Sequence, residues 1–275
     1  MKLGNLFLFF VLAYLISWII WLPLYLPFFG ISGLPVLPYH HAFGAIGPLT
    51  AGIIMTFLEG GREGTNGLLS KTGRYNVPII WHLIAFLSPS LMIIAGVFIY
   101  KATGKTDIEF KEILLYREFP EFTLFSFFLY NLISFGYGEE TGWRGYALPK
   151  LQSKMHPFLA TLLLTVLWAA WHIPLFFYRP GYTSMDVFGV LGWFFSLLTG
   201  AVLLTWLFNS TRQSDFIVAV FHATIDIAFT SNASTPEVSQ YVGMIITFFG
   251  IAVLIFTRFK LGFKQRTNEP ASTAK

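Results

Sequence analysis

Two adjacent carboxylates, Glu139 and Glu140, close a long apolar run in the stretch Gly138-Glu139-Glu140-Thr141-Gly142-Trp143-Arg144. In a helix, Glu140 and Arg144 stand on one face at i,i+4 spacing, while Glu139 points about 100° away. The two carboxylates can therefore divide their work. Glu140 is held by the guanidinium, and Glu139 is left to face a cavity, where a buried carboxylate can serve as a general base. Taken alone, the same stretch also reads as a salt bridge marking the end of a membrane helix. His172 lies in Trp168-Ala169-Ala170-Trp171-His172-Ile173-Pro174 and shares a face with Trp168. Pro174 frees a carbonyl nearby, so this histidine is either a bonded structural group or an exposed base. His222 and Asp226 are again four residues apart, as a carboxylate that fixes an imidazole tautomer must be, or as a mutually satisfied structural pair.

The remaining histidines carry less. His82 has no acidic neighbour at helical spacing and reads as structural or interfacial, and His40, His41 and His156 fall in predicted non-membrane segments. Gly136, Gly138, Gly142 and Gly145 recur at roughly helical intervals around the carboxylates and predict a close packing face. Taken together, Glu139, His172 and His222 on three different helices have the composition of a water-activating site.

The elements that must position them are membrane helices. Of the 275 residues 55% are hydrophobic and only 12% charged, with 31 Phe. An ordinary soluble domain carries about 25% charged residues. The composition excludes a cytosolic enzyme, a disordered chain and a nucleic-acid-binding domain. The net charge of +4 is spread over short inter-helix segments and the C-terminus. There is no Cys, hence no disulfide, thiolate metal site or Cys nucleophile.

Eight apolar stretches predict an all-α polytopic bundle of about eight transmembrane helices: roughly 5–29, 42–58, 78–100, 122–138, 158–178, 187–208, 215–231 and 238–257. The second, fourth and seventh are near the short limit. The first is too long for a signal-peptide core and reads as a retained helix. With the N-terminus inside, thirteen of the 18 Lys and Arg fall in cytoplasmic segments, which favours N-in and C-in. Lys101, Lys105, Lys111 and Arg117, in one loop, run against that bias. Residues 1–257 form a single transmembrane domain with a functional core at about 120–230. The basic stretch 258–275 is expected to be a flexible cytoplasmic tail that meets anionic headgroups.

Glu139-Glu140-x-x-x-Arg144, an aromatic-x-x-x-His ending at His172, and His222-x-x-x-Asp226 resemble the three ordered motifs of the CPBP (Abi) family, which comprises CAAX prenyl endopeptidases and bacteriocin-processing or self-immunity proteins. The resemblance covers about residues 120–230. It implies an intramembrane endopeptidase acting on a membrane-associated protein or peptide. In it Glu139 and His172 activate water, Glu140 and Arg144 support the site, and His222 stabilises the oxyanion. Trp168 stands where Phe is frequent, and Asp226 where Asn is frequent. An ionised Asp has no proton to donate, so Asp226 is expected to orient His222.

Two mechanisms remain open. One is a metal-free glutamate protease. The other is a Zn²⁺ enzyme ligated by Glu139, His172 and His222. Two other classes fit the same residues: a non-enzymatic membrane scaffold or bacteriocin self-immunity protein, and a proton-coupled transporter, which the lack of visible repeats weakens. No nucleic-acid partner is expected. The substrate and the oligomeric state are not encoded legibly.

Overall fold

The first helix, α1 (Leu3–Tyr25), has almost no polar residue to interrupt it and a Pro only near its end, at Pro23. It sets the pattern for the chain. In the computed structural model, which describes residues 3–116 and 118–263, every ordered element is helical and no strand occurs among the described residues. After α1 come the short α2 (His40–Ala45), α3 (Gly47–Thr72) and α4 (Ile79–Ala102). A helical run follows, built from α5 (Leu124–Asn131), a π-helical stretch (Leu132–Tyr137), α6 (Gly138–Glu140), a second π-helical stretch (Thr141–Ala147) and α7 (Leu148–Gln152). The chain ends with α8 (Pro157–Trp171), a 3₁₀ turn (Ile173–Phe177), α9 (Val187–Ser210), α10 (Asp215–Thr230) and α11 (Pro236–Phe256).

Local chemistry sets many of these boundaries. The side chains of Thr123, Asp186, Ser214 and Thr235 accept hydrogen bonds from the backbone N–H groups of Ser126, Gly189, Ile217 and Val238, capping α5, α9, α10 and α11. Inside α3 the helix breaks at Gly61, whose φ of 57° and ψ of −147° only glycine adopts readily.

Six helical segments are long and apolar enough to cross a membrane: Gly4–Phe29, His40–Thr72, Ile79–Ala102, Pro157–Phe177, Val187–Ser210 and Pro236–Phe256. All eight expected spans coincide with helix, but the fourth and seventh do not reach this length as uninterrupted apolar α-helix. The fourth is segmented by a π-helical stretch and runs on into the charged residues 139–144, and α10 has only 16 residues. Large apolar side chains such as Phe188, Phe248 and Phe256 stand 73–87% exposed on the outer faces. Such a surface suits hydrocarbon and not water. The protein is a polytopic integral membrane protein.

The bundle places α1 against α3, α4 against α10 and α11, α9 against α11, and the π-helical stretch 141–147 against α3. The predicted cytoplasmic segments gather at one end. There Glu59 accepts from Asn5, Tyr146 and Lys150, and Ser214 donates to the Arg74 carbonyl. At the other end Lys105 pairs with Glu237, and Arg179 with Glu118. Of the predicted tail 258–275, residues 264–275 lie outside the described residues, as do Lys2 and Arg117 of the charge count. The described part is 258–263. Leu261 is fully buried, its carbonyl accepts from Asn209, and Phe259 packs edge-on against Phe158.

Candidate active site

The small residues around the carboxylates bring other helices close. A Cβ on Gly142 would stand 2.3 Å from the Pro48 carbonyl oxygen, and one on Gly136 would stand 2.6 Å from that of Ala219. The glycine face thus presses the carboxylate run against α3 on one side and α10 on the other, as the spacing predicts. The flanking π-helical turns widen the helix there. π-helical turns often occur at functional sites.

The two glutamates diverge. Glu140 Oε1 accepts from Arg144 Nη1 at 2.9 Å and lies 2.6 Å from His222 Nδ1. Glu140 and Arg144 are both fully buried, so this is an ion pair excluded from solvent. Glu139 turns the other way, and its Oε2 accepts from the indole N–H of Trp168 at 2.7 Å. Its Oε1 has no hydrogen-bond partner among the described residues.

His172 caps the C-terminus of α8. There the backbone tightens to 3₁₀ geometry, and the His172 N–H bonds to Ala169, which leaves the Trp168 carbonyl to the imidazole. His172 Nδ1 lies 2.7 Å from that carbonyl oxygen. A carbonyl can only accept, so Nδ1 carries the proton and Nε2 keeps its lone pair. The Arg144 guanidinium carbon lies 4.5 Å from the Trp168 ring centroid. The rings of His172 and His222 lie 5.4 and 5.8 Å from the Trp168 ring.

All six residues expected from the sequence therefore meet around Trp168, with one change of partner. His222 Nε2 is 3.6 Å from Asp226 Oδ2, beyond hydrogen-bonding distance. The carboxylate that orients His222 is Glu140, from another helix. His82 bonds the Tyr75 carbonyl and His156 caps α8, both away from this cluster.

Several contributors were not legible. Trp18 donates to the Trp171 carbonyl at 3.0 Å, and Tyr14 donates to the Leu167 carbonyl, so α1 clamps the end of α8 that carries His172. The aromatic pair at i,i+4 on α1 was the available signal. His41 Nδ1 lies 2.7 Å from the Tyr178 hydroxyl and stacks on Trp21. It also lines a cavity of about 280 Å³ with Asn131, Phe135 and Tyr178. Asp215, the first residue of α10, is fully buried near Thr141, Lys71 and Arg144. In the sequence it looks like an ordinary acidic residue of a helix first turn.

A metal ion belongs to one of the two mechanisms left open by the sequence. Among the described residues no three His, Asp or Glu side chains are grouped so as to hold one. Of the three expected ligands, His222 is turned to Glu140 through Nδ1, and Glu139 commits one oxygen to Trp168.

Residues 121–228 match the family model of type II CAAX prenyl endopeptidases, described as Rce1-like. A curated relative, CAAX prenyl protease 2 of Methanococcus maripaludis, is 28% identical over 131 residues, which are 46% of this chain and 48% of the relative. The alignment thus spans about half the length of that relative. Glu139, Glu140, Arg144, His172, His222 and Asp226 all lie inside the matched segment, so the part of the chain that carries them is similar to type II CAAX prenyl endopeptidases.

Proposed function

We propose that the protein is an intramembrane endopeptidase of the CAAX-protease type, cleaving a peptide bond in a membrane-associated substrate with a metal-free, Glu/His-activated water. The observation that carries this reading is the state of two atoms. Glu139 has one oxygen held by Trp168 and the other without a protein partner, and His172 has Nδ1 capped by a carbonyl and Nε2 left as a base. A water molecule between them meets two acceptors.

In the proposed step Glu139 takes a proton from water as its oxygen attacks the peptide carbonyl carbon, and the C=O π pair moves onto the carbonyl oxygen. His222, its Nδ1–H donated to Glu140, stabilises that oxyanion through Nε2–H. The intermediate then collapses with cleavage of the C–N bond, and the proton held by Glu139 passes to the leaving amine. Glu140 and Arg144 hold His222 in place. The relative named CAAX prenyl protease 2 supports a prenylated protein as the substrate class.

The test is peptidase activity of the purified protein in detergent against prenylated peptides ending in a CAAX sequence. Wild type is expected to cleave, and Glu139→Ala and His172→Ala to be inactive while eluting as folded protein. Undiminished cleavage by Glu139→Ala overturns the mechanism.

A further inference from the structure

We infer that Trp168 is a positioning residue that sets the water-activating pair from both ends of one amino acid, its indole N–H aiming Glu139 and its carbonyl fixing the His172 tautomer. The inference rests on the endopeptidase reading above and goes beyond it, because neither the motif spacing nor the family match assigns Trp168 a polar role.

The argument starts from Glu139. A glutamate has three rotatable side-chain bonds, and a buried carboxylate without a donor is costly. Arg144 gives its Nη1–H to Glu140 and none of its N–H groups to Glu139. The indole Nε1–H of Trp168, at 2.7 Å, is the hydrogen bond that Glu139 makes through its side chain among the described residues. An indole N–H donates and cannot accept. It therefore binds Oε2 without competing for the proton and leaves Oε1 as the oxygen that takes one from water.

The other end of the residue acts on His172. The Trp168 carbonyl receives Nδ1–H at 2.7 Å, which leaves Nε2 unprotonated. The ring itself is fixed. Trp168 is 5% exposed, and the Arg144 guanidinium lies over its face at 4.5 Å. Any shift of this one residue would move both halves of the pair together.

The experiment replaces the N–H and keeps the shape. Trp168→Phe and incorporation of 3-benzothienylalanine at 168, which exchanges N–H for sulfur, both retain the carbonyl and an aromatic face. Infrared difference spectra against Glu139→Gln locate the Glu139 carboxyl band, and steady-state kinetics give kcat and KM on one CAAX peptide. Expected are a displaced Glu139 band in both variants and a fall in kcat of about tenfold to a hundredfold, with KM within about twofold. An unchanged band overturns the tether. A displaced band with unchanged kcat, or a rise in KM alone, overturns the positioning role. If wild type shows no cleavage that depends on Glu139, the endopeptidase reading fails and the positioning role falls with it, while a displaced band still establishes the bond itself.

Discussion

Nδ1 of His222 lies 2.6 Å from Oε1 of Glu140, the same oxygen that Arg144 reaches at 2.9 Å. One buried carboxylate therefore ties α10 to the carboxylate run and pairs with one nitrogen of a buried guanidinium at the same time. Among the described residues its neighbour Glu139 has only the Trp168 indole to lose.

That difference separates the two glutamates in stability. Glu140→Ala leaves Arg144 buried without its partner and is expected to destabilise the protein by about 3–5 kcal/mol. Glu139→Ala removes one hydrogen bond and is expected to change stability by about 1–2 kcal/mol. Thermal unfolding in detergent measures both. Equal shifts would mean that the Glu140–Arg144 pair does not hold the fold.

Asp226 should matter less than its motif position suggests. At 3.6 Å from Nε2 it makes no hydrogen bond to His222. Asp226→Asn is expected to keep activity within about tenfold, because the amide adds a donor and Glu140 still orients the ring. His222→Ala is expected to lose at least a hundredfold. A collapse of kcat in Asp226→Asn would instead show that the Asp226 carboxylate sets the imidazole.

Metal removal separates the two mechanisms left open by the sequence. Under the metal-free proposal, dialysis against EDTA or 1,10-phenanthroline leaves peptidase activity within about twofold, and added Zn²⁺ restores nothing. Loss on chelation with recovery on Zn²⁺ would overturn it, and would require Glu139 and His222 to leave Trp168 and Glu140.

Close helix approach at Gly142 makes a sharp packing test. A Cβ there meets the Pro48 backbone, which cannot swing aside as a flexible side chain would, so Gly142→Ala is expected to destabilise by about 1–3 kcal/mol. Gly67 lies in α3 with open space where a Cβ would go, and Gly67→Ala is expected to stabilise by about 0.5–1 kcal/mol. The opposite signs are read from the shift in unfolding midpoint.

Orientation is testable against a clean background, since the chain has no Cys. With N-in and C-in, a cysteine replacing exposed Lys154 reacts with an impermeant maleimide only after the cell membrane is opened, and one replacing exposed Thr106 reacts in intact cells. The reverse pattern would overturn the topology and identify the Lys-rich 101–120 loop as cytoplasmic.

From the sequence alone came the membrane class, the helical positions and the six ionisable residues. These are properties of local spacing and of scarcity. A charge in an apolar run is conspicuous, and i,i+4 spacing places Glu140 beside Arg144 whatever else the chain does. Spacing within one helix cannot say which partner from another helix arrives first. His222 stands four residues before Asp226, yet Glu140 takes its Nδ1, because glycine-lined contacts bring α10 against the carboxylate run. Nor could spacing show that the Trp168 indole would find Glu139, that Trp18 of α1 would secure the end of α8, or that Leu261 would draw the start of the tail into the bundle. Those contacts depend on how whole helices pack, and only the tertiary structure decided them.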